Sequence, residues 1–215
     1  MANDNINEDD RWNAYFYPGT TTLINKLGIK DGSELTAVER EISEQKELEL
    51  VDNPIVGNFD SKHLCDVHKY LFSDLYEWAG KLRDVTMTKE DYSKFTSIND
   101  IERCLEDDLE LLKDNLKNVY NFDTFALELA DCYLGLVTIH PFREGNGRAI
   151  REFLRELVLV KSLSLGFDQY TIDWNLIDND KISSYMTMGP ISKTLIKIEL
   201  SKGIVPYNPE KKKQL

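Results

Sequence analysis

The residues with the clearest chemical potential fall within one short segment, His140-Pro-Phe-Arg-Glu-Gly-Asn-Gly-Arg-Ala-Ile-Arg151. Gly145 and Gly147 flank Asn146, and because they lack Cβ atoms, their backbone N–H groups can turn inward to form an anion-binding nest. The segment leads into a predicted helix, whose unpaired first N–H groups and dipole favour a phosphate. The spacing therefore predicts a phosphate-binding loop.

Charged side chains in the same segment supply the other parts of a nucleotide site. Arg148 and Arg151 are three residues apart, so they share one helix face and both can reach an anion. Glu144 offers a hard oxygen ligand for Mg²⁺ bound together with substrate phosphates, and His140 is a base that titrates near neutral pH. Each residue alone is more often a cap, a turn or a surface feature, but their co-occurrence favours a nucleotide site with an adjacent base.

The elements that must position this segment are helices, and the predicted fold is mainly α. Apolar spacing predicts helices over residues 36–50, 61–75, 101–116, 125–139 and from about 146 to 166. The fourth is apolar nearly all round, which indicates a central buried helix capped by Asp123 or Thr124. Pro141 should end it at His140, and Gly166 should stop the last helix. Residues 84–97 read as a short hairpin or loop.

Composition excludes several classes of protein. The 215 residues carry 26 Lys+Arg against 38 Asp+Glu, a net charge of −12, so a protein that coats nucleic acid is not expected. The polar, acidic first ten residues resemble no secretory signal, and no apolar stretch approaches the roughly 20 residues of a membrane helix. Three cysteines without a C-x-x-C pair favour buried thiols in a reducing compartment. We therefore expect a cytoplasmic, bacterial protein that binds neither membrane nor nucleic acid directly.

The segment from His140 to Arg151 matches the signature H-P-F-x-[DE]-G-N-G-R-x-x-R at every specified position, so the chain resembles the Fic family. Residues 71–83 also resemble the stretch that leads into the β-hairpin flap of that family. The likeness extends over residues 17–202 and implies a Fic-type helical bundle, with a central helix–anion loop–helix and a short flap. We expect an N-terminal tail over 1–16, a Fic domain over 17–202 with its core at about 60–165, and a C-terminal tail over 203–215.

The resemblance implies protein adenylylation, the transfer of AMP from ATP to a Tyr, Thr or Ser hydroxyl of a target protein. By position, His140 would be the general base and Glu144 would hold Mg²⁺. The implied ATP- and phosphate-binding residues are Gly145, Asn146, Gly147, Arg148 and Arg151. The alternatives are transfer of another phosphate-linked group from the same site, or a catalytically inert binding module; the intact Gly-Asn-Gly-Arg favours AMP, and the complete set of functional groups argues against an inert module.

Two peripheral regions are assigned from the same resemblance. The flap would clamp the target protein as an added strand, with Thr88 and Lys89 in contact with substrate or nucleotide. Tyr185 and Met186, together with the Asp173-Trp174 pair, resemble the wall of the adenine pocket. Packing of these aromatic and Met side chains in the core is an equally good interpretation.

Regulation is predicted from a pattern that the sequence does not complete. Many Fic proteins carry an inhibitory helix, [ST]-x-x-x-E-[GN], whose Glu pairs with the second arginine of the signature. Ser43 and Glu47 have this spacing, but Leu48 follows them, and no other match in the sequence is complete. We therefore expect a toxin whose Arg151 is restrained by a Glu from a small antitoxin.

Overall fold

The computed structural model describes residues 7–88 and 95–208. Within these ranges the chain forms eight α-helices and a small antiparallel sheet of two strands. The helices are α1 Glu8–Asn13, α2 Gly32–Asp52, α3 Ser61–Phe72, α4 Ile101–Leu116, α5 Phe122–Ile139, α6 Asn146–Ser164, α7 Asn179–Tyr185 and α8 Ser192–Gly203. The strands are β1 Tyr170–Ile172 and β2 Ile204–Pro206, with Thr171 opposite Val205.

Helix α5 lies at the centre of the bundle and packs against α4, α6 and α8. Its side chains Phe125, Leu129 and Leu136 are fully buried, as its all-round apolar composition predicts. Helix α3 packs against α2, α4 and α6, so the loop between α5 and α6 is supported from the α3 side. The mainly α prediction and the central position of this helix are confirmed.

The starts of α3, α4 and α6 and the ends of α4 and α5 are as predicted. Helix α2 is longer than the predicted 36–50, α3 ends at Phe72 and not at residue 75, and the cap of α5 was placed too late. Helix α5 begins at Phe122, because the Asn121 side chain accepts the N–H of Thr124 while the Thr124 hydroxyl faces the Asn121 N–H. This capping box satisfies the first turn from a position two residues before Asp123, the earlier of the two predicted caps. The cap is thus Asn121, not Asp123 or Thr124. Gly166 follows α6 with φ +81°, as expected for a stop.

Parts of the two predicted tails belong to the fold. Helix α1 lies within residues 1–16, and its Glu8 side chain accepts the backbone N–H of Thr86 at 3.0 Å. Strand β2 lies within residues 203–215 and pairs with β1. The sequence missed both because each element is short and is stabilised by contacts with distant residues.

The flap is described only at its base. There the backbone N–H of Phe95 donates to the carbonyl of Met87 at 3.2 Å, which is the pairing expected of a hairpin. Thr88 is exposed at the end of the first arm, whereas Lys89 lies outside the described residues. In the part of the chain that the structure describes, no helix is long and apolar enough to cross a membrane.

Candidate active site

His140 lies at the junction between the central helix and the loop. It caps the C-terminus of α5 in the left-handed conformation, with φ 51° and ψ 62°, a conformation that is uncommon for any residue other than Gly. Its ring stacks on Phe95 of the flap base, with ring centroids 3.8 Å apart. The half-buried imidazole is therefore placed between the loop and the flap.

Arg83 connects this histidine with the flap, a role that the sequence did not reveal. The buried guanidinium donates from Nε to the carbonyl of His140 at 2.8 Å and from Nη1 to that of Val85 at 2.8 Å. Its Nη2 donates to the carbonyls of Thr96 and Ile139. Burial lowers the pKa of Arg83. One side chain thus fixes both arms of the flap base relative to the end of α5.

The loop is held in shape by its own asparagine. Asn146 Oδ1 accepts the N–H of Phe142 at 2.8 Å, and Nδ2 donates to the carbonyl of Phe142 at 2.8 Å. Both polar atoms of this buried side chain are therefore committed to the loop backbone. The amide nitrogen has a second N–H, and the backbone N–H of Asn146 lies at the start of α6, so binding of phosphate by Asn146 stays a prediction.

The start of α6 has the features of an anion site. Gly145 has φ +78°, and a Cβ at this position would overlap the ring of Phe72, so only Gly fits. Among the described residues no side chain caps this terminus, which leaves the first N–H groups of the helix without intrahelical partners. These N–H groups and the helix dipole favour a phosphate.

Arg151 lies beside this helix N-terminus. Its Nη1 atom is 3.2 Å from the position that a Cβ on Gly147 would occupy, so the guanidinium folds back over the first turn. Within the described ranges Arg151 forms no hydrogen bond or ion pair. The charge of Arg151 acts on Glu47 of α2: burial raises the pKa of Glu47, and the charges of Arg151 and Arg148 oppose that rise.

Arg148 has different surroundings, although the sequence assigned both arginines to the same role. It pairs with Glu39 through Nη2 and donates from Nη1 to the Ser43 hydroxyl at 2.9 Å. Its guanidinium also lies 4.7 Å from the centre of the Phe72 ring, and the side chain is 20% exposed. Arg148 therefore joins α6 to α2, and its Nη2 also lies 3.9 Å from Oε1 of Glu144.

Glu144 is the one predicted metal ligand. Its side chain is 46% exposed, and its Oε1 accepts the N–H of Gly145 at 2.9 Å. In residues 7–88 and 95–208 no cluster of three or more His, Cys, Asp or Glu side chains could hold a metal ion. Mg²⁺ commonly binds through one or two carboxylates and substrate phosphates, so an exposed carboxylate beside an anion site fits this ion.

A cleft of about 1090 Å³ adjoins Arg151. It lies between α2 and the segment that contains β1 and β2, and its lining includes Glu47, Arg151, Asp173, Trp174 and Asn179. The Trp174 indole nitrogen is buried and has no hydrogen-bond partner among the described residues. Trp174, Tyr185 and Met186 all pack against the core, and of these three only Trp174 also lines the cleft. The assignment of these residues to an adenine pocket stays a prediction.

Three aromatic side chains also hold the loop through Arg143, a contact that the sequence did not predict. Arg143 is 7% exposed, and its guanidinium carbon lies 4.3 to 5.4 Å from the ring centres of Trp12, Tyr15 and Phe16. The Tyr15 hydroxyl donates to Asp84 at 2.6 Å. Residues in and just after α1 thus contact both the loop and the flap base.

Comparison with known proteins identifies the family to which the chain belongs. The sequence model of the Fic/DOC family matches residues 58–158. The chain is 35% identical over 195 residues to the protein adenylyltransferase VbhT of Bartonella schoenbuchensis, a match that covers 87% of this chain and 39% of VbhT. It therefore spans about two fifths of that relative. It is 33% identical to the probable protein adenylyltransferase y4lH of Sinorhizobium fredii, over 66% of this chain and 72% of y4lH.

Solved structures agree in fold. The BepC protein of Bartonella tribocorum, a VirB-translocated effector whose crystal structure contains bound AMPPNP, superposes with a TM-score of 0.74 at 29% identity. The superposition covers 91% of this chain and 98% of the BepC chain. The helical architecture around the loop is therefore shared with a nucleotide-bound relative.

Proposed function

Because this chain belongs to the Fic/DOC family, we propose that it is a protein adenylyltransferase, which transfers AMP from ATP to a Tyr, Thr or Ser hydroxyl of a target protein. One observation carries the proposal: an uncapped helix N-terminus, with Arg151 folded over it, adjoins a histidine at the end of α5. The helix N-terminus and Arg151 favour a polyphosphate, and the imidazole can deprotonate an alcohol. The names of the two adenylyltransferase relatives and the AMPPNP bound to BepC support AMP as the transferred group.

In the proposed reaction the target hydroxyl oxygen attacks the α-phosphorus of ATP. A new P–O bond forms to the target, the bond between the α-phosphorus and the bridging oxygen breaks, and pyrophosphate leaves with that oxygen. The hydroxyl proton passes to an imidazole nitrogen of His140. General-base catalysis of this kind contributes about 10²- to 10⁴-fold, so positioning and charge stabilisation supply most of the acceleration.

Each part of the loop has an assigned task. The backbone N–H groups of residues 145–148 hold phosphate oxygens, and Arg151 neutralises charge on the departing pyrophosphate. Glu144 would hold Mg²⁺, which would neutralise charge on the phosphate oxygens as the nucleophile approaches. Arg148 acts indirectly, because its bonds to Glu39 and Ser43 keep α6 against α2. The adenine lies in the cleft beside Trp174, where the buried indole N–H lacks a partner in the described structure.

We propose that the target protein binds along the flap. The described base of the flap carries Phe95 against the ring of His140, so a segment bound there as an added strand would present its hydroxyl to the imidazole. Thr88, exposed at the end of the first arm, and Lys89 are the proposed contact residues. Because the reaction consumes ATP, we place it in the cytoplasm.

Restraint by a separate antitoxin, and with it a toxin role, is part of the proposal. Ser43 and Glu47, which have the spacing of the inhibitory pattern, face the two arginines from α2. However, the Ser43 hydroxyl binds Arg148, and Glu47 forms no ion pair with Arg151 in the described part of the chain. The cleft beside Arg151 is thus open to a partner's glutamate. If the purified chain is silent and Glu47→Ala activates it, the restraint is internal and this part of the proposal fails.

Labelled ATP tests the transferred group directly. The purified chain is incubated with bacterial lysate and with ATP that carries its label on either the α- or the γ-phosphate, and His140→Ala serves as the matched control. We expect α-label on protein and no γ-label, and we expect the α-label to be absent with His140→Ala. Transfer of γ-label would show phosphate transfer, and absence of both labels would favour an inert binding module.

A further inference from the structure

His68 joins three segments of the site through one buried imidazole. The residue lies on α3 and is 0% exposed. Its Nδ1 is 2.8 Å from the backbone nitrogen of Gly80, and its Nε2 is 2.9 Å from the backbone oxygen of Glu144. A backbone N–H can only donate and a carbonyl can only accept. Nδ1 is therefore the unprotonated nitrogen and Nε2 carries the hydrogen, so the two neighbours fix the tautomer.

The donor to Nδ1 is itself fixed in place. Gly80 has φ +80°, and a Cβ at this position would lie 2.8 Å from Cβ of Lys69 and 3.0 Å from the carbonyl oxygen of Cys65. Only glycine therefore allows the backbone to approach α3 this closely. As a result, the ring of His68 is held in one orientation with Nε2–H directed at the loop.

The same face of α3 supports the loop on both sides of Glu144. The ring of Phe142 stacks on His68, with centroids 3.9 Å apart and an interplanar angle of 22°. Phe72, one turn further along α3, lies against Gly145, where a Cβ would overlap its ring. Helix α3 thus contacts the residues that precede and follow the predicted metal ligand.

The bond from His68 reaches the carboxylate of Glu144 through a single peptide unit. The Glu144 carbonyl accepts from His68, and the N–H of the same peptide, which belongs to Gly145, donates to Oε1 of Glu144 at 2.9 Å. In a planar trans peptide the C=O and the N–H point in opposite directions. Fixing the carbonyl therefore fixes the N–H, which in turn holds the carboxylate.

We propose, on the basis of the adenylyltransferase function above, that His68 is a positioning residue that orients the Glu144 carboxylate and the Gly145 amide for nucleotide and metal. It acts through the Glu144 carbonyl and does not touch the substrate. Residues that orient a metal ligand from outside typically change metal affinity 10- to 100-fold when they are mutated. A purely structural histidine would change stability without this effect.

Two substitutions separate the functions of the two ring nitrogens. His68→Gln places an amide N–H near the position of Nε2 and keeps a donor for Glu144. His68→Asn places its oxygen near Nδ1 and keeps the acceptor for Gly80, but it is too short to reach Glu144. His63 offers a matched control on the same helix: it is 2% exposed, its Nδ1 accepts the Phe59 N–H at 3.3 Å, and its Nε2 contacts Glu156 at 2.9 Å, away from the loop.

The first readout is the calorimetric affinity for a non-hydrolysable ATP analogue with Mg²⁺, measured beside the Tm of each variant. We expect His68→Asn to bind about 10- to 100-fold more weakly, and His68→Gln to stay within about threefold of the parent chain. His63→Asn should lower the Tm without weakening binding. Equal losses in the Asn and Gln variants at His68, or an equal loss in His63→Asn, would overturn the proposal.

The second readout does not depend on nucleotide. Amide hydrogen exchange of residues 142–147 in the nucleotide-free protein should be faster in His68→Asn than in the parent chain, and unchanged in His68→Gln. If the parent chain bound no nucleotide, the adenylyltransferase function would fail while this comparison still tested the role of His68. Unchanged exchange in His68→Asn would overturn that role by itself.

Discussion

Arg148 and Arg151 have the same side chain and lie three residues apart on α6, yet their surroundings differ. Arg148 is bound by Glu39 and Ser43, whereas Arg151 folds over Gly147 beside the cleft without a described hydrogen-bond partner. We therefore expect Arg151 to contribute more than Arg148 to phosphate binding, since Arg148 also holds α6 against α2.

These surroundings predict opposite results for the two arginines. Arg151→Met should weaken nucleotide binding by about 10- to 100-fold, the value of one or two hydrogen bonds to a charged group, with little change in stability. Arg148→Met leaves the Glu39 carboxylate, which is 12% exposed, with the Tyr76 hydroxyl but without a positive charge beside it. It should lower the free energy of unfolding by about 2 kcal/mol, since the pair is not fully buried. Calorimetry and urea unfolding of both variants check this; a stable Arg148→Met with weak binding would reverse the assignment.

Substitution of Arg83 is expected to slow AMP transfer without changing the affinity for nucleotide. Its guanidinium contacts carbonyls on both flap arms and at His140, and a lysine ammonium lacks the planar fork that reaches them together. Arg83→Lys should reduce the rate of AMP transfer by about 10- to 100-fold, as expected when a general base is misplaced. Single-turnover labelling measures the rate. A full rate in Arg83→Lys would show that charge alone suffices.

The sequence indicates which residues carry the functional groups of the site, but it does not indicate which distant residues these side chains contact. The spacing of His140, Glu144 and Arg151 predicts a phosphate site, because a glycine-flanked loop before a helix has few alternative geometries. It did not distinguish Arg148 from Arg151, since the partners of Arg148 on α2 are more than a hundred positions away in the chain. For the same reason His68 and Arg83 were not recognised as supports of the loop.

At the scale of elements, α1 lies outside the residues matched by the family model yet contacts the loop. Trp12, Tyr15 and Phe16 surround the guanidinium of Arg143, and Tyr15 also bonds to Asp84 at the flap base. The element therefore links the position of the loop to that of the flap. Its apolar pattern is too short to reveal this role.

Removing the aromatic contact should loosen the loop. Trp12→Ala is expected to lower the free energy of unfolding by about 1–2 kcal/mol, the value of a desolvated cation–π contact, and to speed amide exchange in residues 141–145. Tyr15→Phe keeps the ring and loses only the bond to Asp84, so it should affect the flap base and spare the loop. Hydrogen exchange measured by mass spectrometry distinguishes the two. Equal loop exchange in Trp12→Ala and the parent chain would contradict the link.

Long periodic helices were predicted correctly because burial of one face, or of all faces in α5, leaves a clear apolar pattern. The strands β1 and β2 were missed because each has three residues, and their pairing joins positions 170–172 to 204–206. Such a short element is stabilised by tertiary packing and carries little local signal. The cap of α5 was misplaced for a local reason, since several residues at its start can accept a hydrogen bond.

At the scale of the whole molecule, the buried His68 makes stability depend on pH. Burial, assisted by the charge of Arg148, lowers the pKa of His68 from 6.5 to about 4, while its bond to the Glu144 backbone opposes the shift. Between these values the unfolded chain takes up a proton that the folded chain does not. Stability is therefore complete above pH 6.5 and falls, for this group, by about 1.4 kcal/mol per pH unit as the pH drops to 4.

The prediction is checked by urea unfolding of the metal- and nucleotide-free protein between pH 4 and 7. The carboxylates add their own slope in both proteins, so the comparison is between the parent chain and His68→Gln. We expect the variant to lose less stability as the pH falls. Parallel curves would show that His68 is protonated equally in the folded and unfolded chains.

The central claim is that the loop between α5 and α6 seats ATP and that His140 deprotonates a hydroxyl of a target protein. Peptide mass spectrometry of lysate proteins incubated with ATP and the purified chain tests it most directly, with His140→Ala as the control. With the purified chain we expect an AMP adduct on Tyr, Thr or Ser side chains that is absent with His140→Ala. An adduct of equal abundance with His140→Ala would contradict the assigned base, and a phosphate adduct in place of AMP would contradict the assigned reaction.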